Sequence, residues 1–360
     1  MKDFVNFPRT LYKNAPFWVP PMWNEEKKAY NGKTNVMLKN NEYSLLLVYD
    51  QGELLGRSLV YIDKDFNRYY TSTIGFFGAF ECVDNKEAAR LLFSTSVKWL
   101  QERGMNAIRG PIHPIAESWG FLLKGYDSLP VLMASYNPPY YHKLMENSGF
   151  EKIKDLLAYE ADLNSGYKIP PRIERFTKQL MDRHPEFSLR KINIKNLMKD
   201  ATYIWEITNT SLCDNWGYVP VEESVMKDMV DRLKIILDKD AIWFVQDKGV
   251  PVGFALGFPD PNTIIKKIRG KALPTGFLTL LNKRKSINRY RLFALGVLPQ
   301  YHGMGLDVLL YKHLHDALAD KKILIEANYI LEDNWNIRNA LEKLGMKRTK
   351  EYRIYEKKIN

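Results

Sequence analysis

Apolar and polar positions run through two similar cycles along the chain. In the first, apolar residues 45–49 and 54–62 flank a polar break holding Asp50 and Gly52; in the second, residues 241–245 and 252–258 flank one holding Asp247 and Gly249. Short apolar runs around a glycine-bearing break predict a β-hairpin in each cycle, and Gly56 and Gly253 extend the match. A candidate strand follows each hairpin, at 74–80 and 292–298. Next come apolar residues at helical spacing: Ala89, Leu92, Phe93, Val97 and Leu100, then Leu306, Leu310, Leu314 and Ala317. A further strand is predicted at 107–109 and at 323–329. Each cycle closes alike: Gly149-Phe150, Lys152, Lys154-Asp155 and Tyr159-Glu160 answer to Gly345-Met346, Arg348, Lys350-Glu351 and Tyr355-Glu356. Trp18-Val19-Pro20 and Tyr218-Val219-Pro220 add a weaker pair. Matches in one order at a nearly fixed offset mark an internal repeat.

Length agrees with two copies, since 360 residues exceed what one core of about 150 residues usually holds. The copies are expected at 1–163 and 172–360, joined by a linker at 164–171 that carries Gly166, Pro170 and Pro171. With 45% apolar and 13% aromatic residues, disordered and fibrous classes are excluded. No apolar run is long enough to cross a bilayer, and the first residues lack the apolar core of a secretory leader. Two cysteines, Cys82 and Cys213, are too few for a disulfide framework or a Cys-type zinc site, so a reducing, cytoplasmic setting is expected. His313 and His315 lie two apart on a predicted helix and face different ways, so no metal is expected there.

Charge adds one feature. Residues 261–306 hold nine Lys or Arg and no acid, with Lys266, Lys267, Arg269 and Lys271 before an apolar stretch at 277–281 and Lys283, Arg284, Lys285, Arg289 and Arg291 after it. Such a run is either a solvated insertion or an attractor for a polyanionic cofactor, an anionic acceptor or an anionic surface. No helix-turn-helix, zinc or RNA-recognition signature points to nucleic acid.

The chemistry gathers where the second cycle's strand meets its helix, at Val297-Leu298-Pro299-Gln300-Tyr301-His302-Gly303-Met304-Gly305-Leu306-Asp307. Glycines delivered by a strand onto a helix N-terminus suit a phosphate, because glycine admits positive φ and lets unpaired amides close on an anion. The first cycle reads Phe80-Glu81-Cys82-Val83-Asp84-Asn85-Lys86-Glu87 at the same place. It has no glycine, and its three carboxylates oppose phosphate binding. The first copy is therefore expected to be structural or to help form an acceptor cleft.

With its strand, hairpin and following helix ending Leu341-Glu342-Lys343-Leu344-Gly345-Met346, the Val-x-Pro-x-Tyr-x-Gly-x-Gly run resembles the acetyl-CoA motif of the GNAT superfamily of N-acetyltransferases. The resemblance covers nearly the whole chain and implies two tandem GNAT-like α/β domains, the first degenerate. Each would have a mixed, mostly antiparallel central sheet flanked by helices. It implies acetyl-CoA or another acyl-CoA as co-substrate, no metal, and a small-molecule or peptide amine as acceptor; oligomeric state stays open. Leu295, Gly296 and Val297 would offer backbone groups to the acyl carbonyl and pantetheine. Amides across His302, Gly303, Met304, Gly305, Leu306, Asp307 and Val308 would hold the pyrophosphate, and Asn334 would lie near the pantetheine arm. Three positions depart from the pattern: His302 replaces Arg or Gln, Asp307 replaces Gly or Ala, and Leu341 replaces the common general-acid Tyr. Glu326, an acid among apolar neighbours on the predicted strand, is the candidate base, an exposed polar-face Glu being the alternative; Tyr329 and Tyr355 are substitutes for the missing acid. Two other classes share the pattern: Fem-type aminoacyl transferases and a non-catalytic acyl-CoA-binding scaffold.

Overall fold

A computed structural model describes residues 1–114, 118–271 and 286–359. Lys283, Arg284, Lys285 and the apolar stretch at 277–281 of the basic run lie outside the described residues. The chain forms two compact units. One comprises Met1–Leu157, the described part of Asn262–Lys283 and Lys350–Asn360; the other comprises Ala158–Pro261 and the described part of Arg284–Thr349. No described helix is long and apolar enough to cross a membrane.

In the first unit, strands β1 (Tyr43–Asp50), β2 (Glu53–Tyr61), β3 (Ile74–Cys82) and β4 (Ala107–Gly110) are hydrogen-bonded in that order. The hairpin is antiparallel, and β3 and β4 are parallel. Strand β5 is Phe121–Lys124 and strand β6 is Glu151–Asp162. Phe77, Phe80, Phe93, Phe121, Tyr141 and Phe150 form the heart of the core against the helix Lys86–Gln101. In the second unit, β7 (Phe187–Lys191), β8 (Ile242–Asp247), β9 (Val250–Pro259), β10 (Arg289–Val297) and β11 (Leu324–Leu331) stand in the order β11-β10-β9-β8-β7, with β6 beyond β11. Only β10 and β11 are parallel among the registered pairs of this unit.

The repeat has a backbone reason. Gln51 and Gly52 lie at φ 46° and 88°, Lys248 and Gly249 at φ 46° and 86°, so both hairpins turn on two left-handed residues. That geometry matches the twist of the flanking strands and demands glycine at its second position. Gly56 and Gly253 match for a different reason: a Cβ there would come within 3.0 Å of the carbonyl oxygens of Glu81 and Gly296 on the neighbouring strand.

The sequence boundaries 1–163 and 172–360 do not coincide with the units, because the closing strands are exchanged. Strand β12 (Lys347–Lys358) ends the second cycle, yet from residue 350 it belongs to the first unit. It pairs there with β4 from Tyr355↔Gly110 to Lys358↔Ala107, and with β5. The end of β6, from Ala158, belongs in turn to the second unit, where Leu163 N donates to Ile323 O (2.9 Å).

Candidate functional site

Strand β10 begins in register with β11 and then leaves it. The parallel pairing runs from Arg289↔Leu324 to Leu292↔Ala327 and stops, although β10 continues to Val297 and β11 to Leu331. The departure coincides with an irregularity between Leu292 and Ala294 in the pairing with β9, which puts an extra residue, Phe293, into β10. Beyond it the two strands form a wedge. Gly296 O faces β9, at 3.0 Å from where a Cβ of Gly253 would be. By alternation, the backbone groups of Leu295 and Val297 point to the β11 side, into the wedge.

At the wedge mouth β10 passes into the turn Pro299–Tyr301 and then the helix Leu306–Leu318. Gly303 and Gly305 take φ 78° and 83°, and Gly305 is the helix N-cap. Among the described residues no side chain caps this helix, so its first amides keep their donors available. His302 donates from Nε2 to Val297 O (2.7 Å) and Tyr301 OH donates to Asp247 Oδ2 (2.8 Å), so the loop is tied to its own strand and to the hairpin turn. Asp307 lies half-buried in the first turn without capping it. Tyr311 sits one turn later, its hydroxyl held above its ordinary range by burial and then by the charge of Asp307. Met304 and Val308 are half-buried and Leu306 is buried. The ring of Phe176, from the helix Pro171–Arg183, lies 2.4 Å from where a Cβ of Gly305 would be, so a larger residue there would have to displace the ring or the loop.

Where the strands are still paired, a buried polar cluster fills the crotch of the wedge. Glu326 is 0% exposed, which excludes the exposed-face alternative; it accepts from Asn328 Nδ2 (3.0 Å) and lies 3.5 Å from Arg289. Arg291 donates to Asn328 O (3.2 Å) beside the ring of Tyr329. Asn334 caps the helix Trp335–Lys343 by accepting from Ile337 N (3.2 Å). Leu341 is fully buried. Tyr355 belongs to the first unit, where its hydroxyl pairs with His142 Nδ1 at 2.7 Å. Neither member of the His pair faces the other's partner, His313 meeting Leu309 O and His315 meeting Asp316.

The first unit shows what becomes of the same architecture without an open wedge. Strands β3 and β4 pair only from Ile74↔Ala107 to Phe76↔Arg109, but the space beyond is filled by the chain itself: Ile112 N donates to Phe77 O (2.9 Å). The following helix, Lys86–Gln101, is capped by Asn85, whose Oδ1 accepts from Glu87 N and Ala88 N. Pairing registers equate Glu81 with Gly296, since Arg57↔Glu81 and Gly56↔Cys82 stand where Phe254↔Gly296 and Gly253↔Val297 stand. Glu81 accepts from Tyr12 OH (2.5 Å) and Tyr141 OH (2.8 Å), with buried Arg57 at 3.9 Å. Arg57 also faces Glu26, and Tyr30 links Glu26 to His113. The sequence showed Glu81 as an acid opposing phosphate; its inward network was hidden because Tyr12, Arg57 and Tyr141 are far away in the chain.

Burial raises Glu81 to about 7 against the pull of Arg57 and both tyrosines. A raised folded-state value stabilises the protonated form: the contribution is full below 4.5 and is lost as pH rises through about 7. Burial lowers His113 to about 4, which acts in the opposite sense as pH falls below 6.5. The expected result is a melting-temperature difference between wild type and Glu81→Gln that moves against wild type as pH rises from 4.5 to about 7 and then levels off, worth on the order of 3 kcal/mol at full titration. A difference independent of pH would refute the protonated, buried Glu81. Taking the difference cancels His113.

No family model matches the chain. Over its whole length it is 28% identical to a bacterial ceramide synthase of Caulobacter vibrioides, covering 95% of that protein. Its fold is similar to that of a tandem GNAT protein from the clavulanic acid biosynthesis pathway, with a TM-score of 0.56 at 10% identity over 100% of this chain and 94% of that one. It is also 30% identical to protein YghO of Escherichia coli, across 100% of this chain and 93% of YghO. Thirty per cent identity spread over both lengths makes this chain a member of the YghO family, with the fold of a tandem GNAT protein.

Proposed function

We propose that the chain is an acyl-CoA-dependent N-acyltransferase, with acetyl-CoA or another acyl-CoA as donor and a small-molecule or peptide amine as acceptor. The observation that carries this reading is the contrast inside one chain. The second unit pairs an open strand wedge with an uncapped helix N-terminus, while the first fills the wedge and caps the helix. An uncapped N-terminus with left-handed glycines suits a pyrophosphate, and free strand edges suit the amides of a pantetheine arm.

In this reading the amides from Gly303 to Val308 hold the pyrophosphate, and His302 fixes the loop against Val297. The wedge-facing groups of Leu295 and the amide of Val297, whose carbonyl His302 holds, bind the pantetheine and the acyl carbonyl, with Gly296 between them. Asn334 sets the turn beside the arm. The amine attacks the thioester directly, Glu326 takes its proton through the polar crotch, and Tyr329 on the open arm of β11 is the candidate proton donor. The acceptor series to test includes a long-chain amino alcohol, because the Caulobacter relative is named a ceramide synthase and a ceramide is an N-acylated amino alcohol.

Asp307 supplies a sharp check. It does not cap the helix, so beside a pyrophosphate it acts as a like charge. Asp307→Ala is expected to tighten CoA binding several-fold by calorimetry, while losing about 0.3–1 kcal/mol of favourable interaction with the helix dipole. A large loss of affinity in the folded variant would mean that the carboxylate itself orders the loop.

The reading is tested by calorimetry with CoA and acetyl-CoA, followed by turnover across the amine series. One site per chain with amide formation is expected. Two equivalent sites, or no CoA binding, would overturn it.

A further inference from the structure

The helix Leu197–Ser211 packs on the face of β9 and β10 and carries several hydroxyl side chains. Thr202, Thr208 and Thr210 each donate to the carbonyl four residues earlier, at Met198, Ile204 and Glu206. Ser211 does not. Its Oγ is buried and has no hydrogen-bond partner among the described residues. A buried hydroxyl without a partner costs free energy that an alanine would not, and a ligand oxygen that accepted from it would offset that cost.

Its position is specific. Ser211 Oγ lies 2.9 Å from where a Cβ of Gly296 would be, with Phe254 Cε1 also at 2.9 Å and Ile207 Cγ2 at 3.3 Å. A side chain at 296 would displace the hydroxyl, so Gly296 keeps it against β10. Residues 295 and 297 on either side point their backbone into the wedge.

We infer that the Ser211 hydroxyl donates a hydrogen bond to the carbonyl oxygen of the acyl thioester as amine attack turns that oxygen negative. This rests on the acyltransferase reading above. The amine nitrogen forms the new bond to the acyl carbon and the carbon–sulfur bond breaks. The amine's proton leaves to the base, Glu326, and the departing thiolate takes a proton from Tyr329 to end as the thiol. Ser211 keeps its proton throughout; it serves as a donor that strengthens when the oxygen becomes an oxyanion.

The test uses the full chain and first establishes acyl transfer by the wild type with the best acceptor found. Ser211→Ala is then expected to lower kcat by roughly 10²-fold, as loss of one oxyanion donor does, with CoA affinity unchanged. Its melting temperature should stay level or rise, because an unpaired buried hydroxyl has been removed. Ser211→Cys, a weak donor of similar size, should fall between the two in kcat. Wild-type kcat in Ser211→Ala overturns the assignment. So does a parallel loss of melting temperature and activity, which would mark a packing role. Absence of acyl transfer by the wild type removes the functional reading instead, a distinct result.

Discussion

Residues 1–163 expressed alone should fail to fold. The fragment contains the whole first cycle, but its sheet lacks the strand that residues 350–359 contribute. Tyr352 and Ile354 are 0% exposed, Tyr355 2% and Ile359 8%. At about 1.5–3 kcal/mol for each large apolar side chain withdrawn from water, their loss removes roughly as much as the 5–15 kcal/mol that holds a typical domain together. Polar ties go with them. Arg353 makes a double contact to Asp155 (2.8 and 3.0 Å), Lys357 donates to Ser148 O (2.8 Å), and Tyr355 pairs with His142. Asp155 would lose Arg353 and keep Lys152, His142 would lose Tyr355 and keep Leu122 O, and the edge of β4 would lose its pairing with β12. Circular dichroism with urea titration would show no cooperative transition for the fragment, whereas appending residues 345–360 through a flexible linker should restore one. A fragment that melts as sharply as the full chain would mean that the exchanged strand is dispensable.

Gly305→Ala should weaken acyl-CoA binding at least tenfold. A left-handed residue other than glycine costs about 1–2 kcal/mol, and Gly305 stands at φ 83°. In addition, a methyl group would meet the Phe176 ring at 2.4 Å, so either the ring or the loop must move. Movement of the loop turns the first amides of the helix away from the anion they would share. Gly303→Ala separates the two effects: its φ is 78°, but no atom of the described residues lies within 4 Å of the new methyl group. It should show the backbone cost alone. Phe176→Ala in the Gly305→Ala background should then recover the part due to crowding. Calorimetry with CoA measures all three; unaltered affinity in Gly305→Ala would show that the loop does not bind the pyrophosphate.

The elements could be read from the chain because their causes are local. A two-residue left-handed turn needs its glycine, an amphipathic helix shows its stripe, and the loop between strand and helix spells out Gly303 and Gly305. Pairing across the repeat could not be read. Two closing strands with matching patterns, one ending in Tyr159-Glu160 and the other in Tyr355-Glu356, fit either sheet equally well by alternation, and their destination is set by partners such as Asp155 and Ile323 far away in sequence. For the same reason the sequence could offer Tyr355 as a substitute for the missing acid without showing its contact with His142. Phe293 carries no residue signature of the irregularity that opens the wedge. Ser211 could not be singled out either, since only the missing partner distinguishes it from the threonines beside it.

The exchanged strands bear on how the chain is made. A ribosome releases the first cycle long before Lys350 exists, so the first unit waits one strand short, with the edge of β4 unpaired. At about 5–20 residues per second, synthesis of the second half takes roughly 10–40 s. An open sheet edge over that interval is a template for pairing with other chains. The brevity of β4, only Ala107–Gly110, limits that template to a single short stretch. Completion of the amino-terminal unit thereby waits until the second cycle has been made.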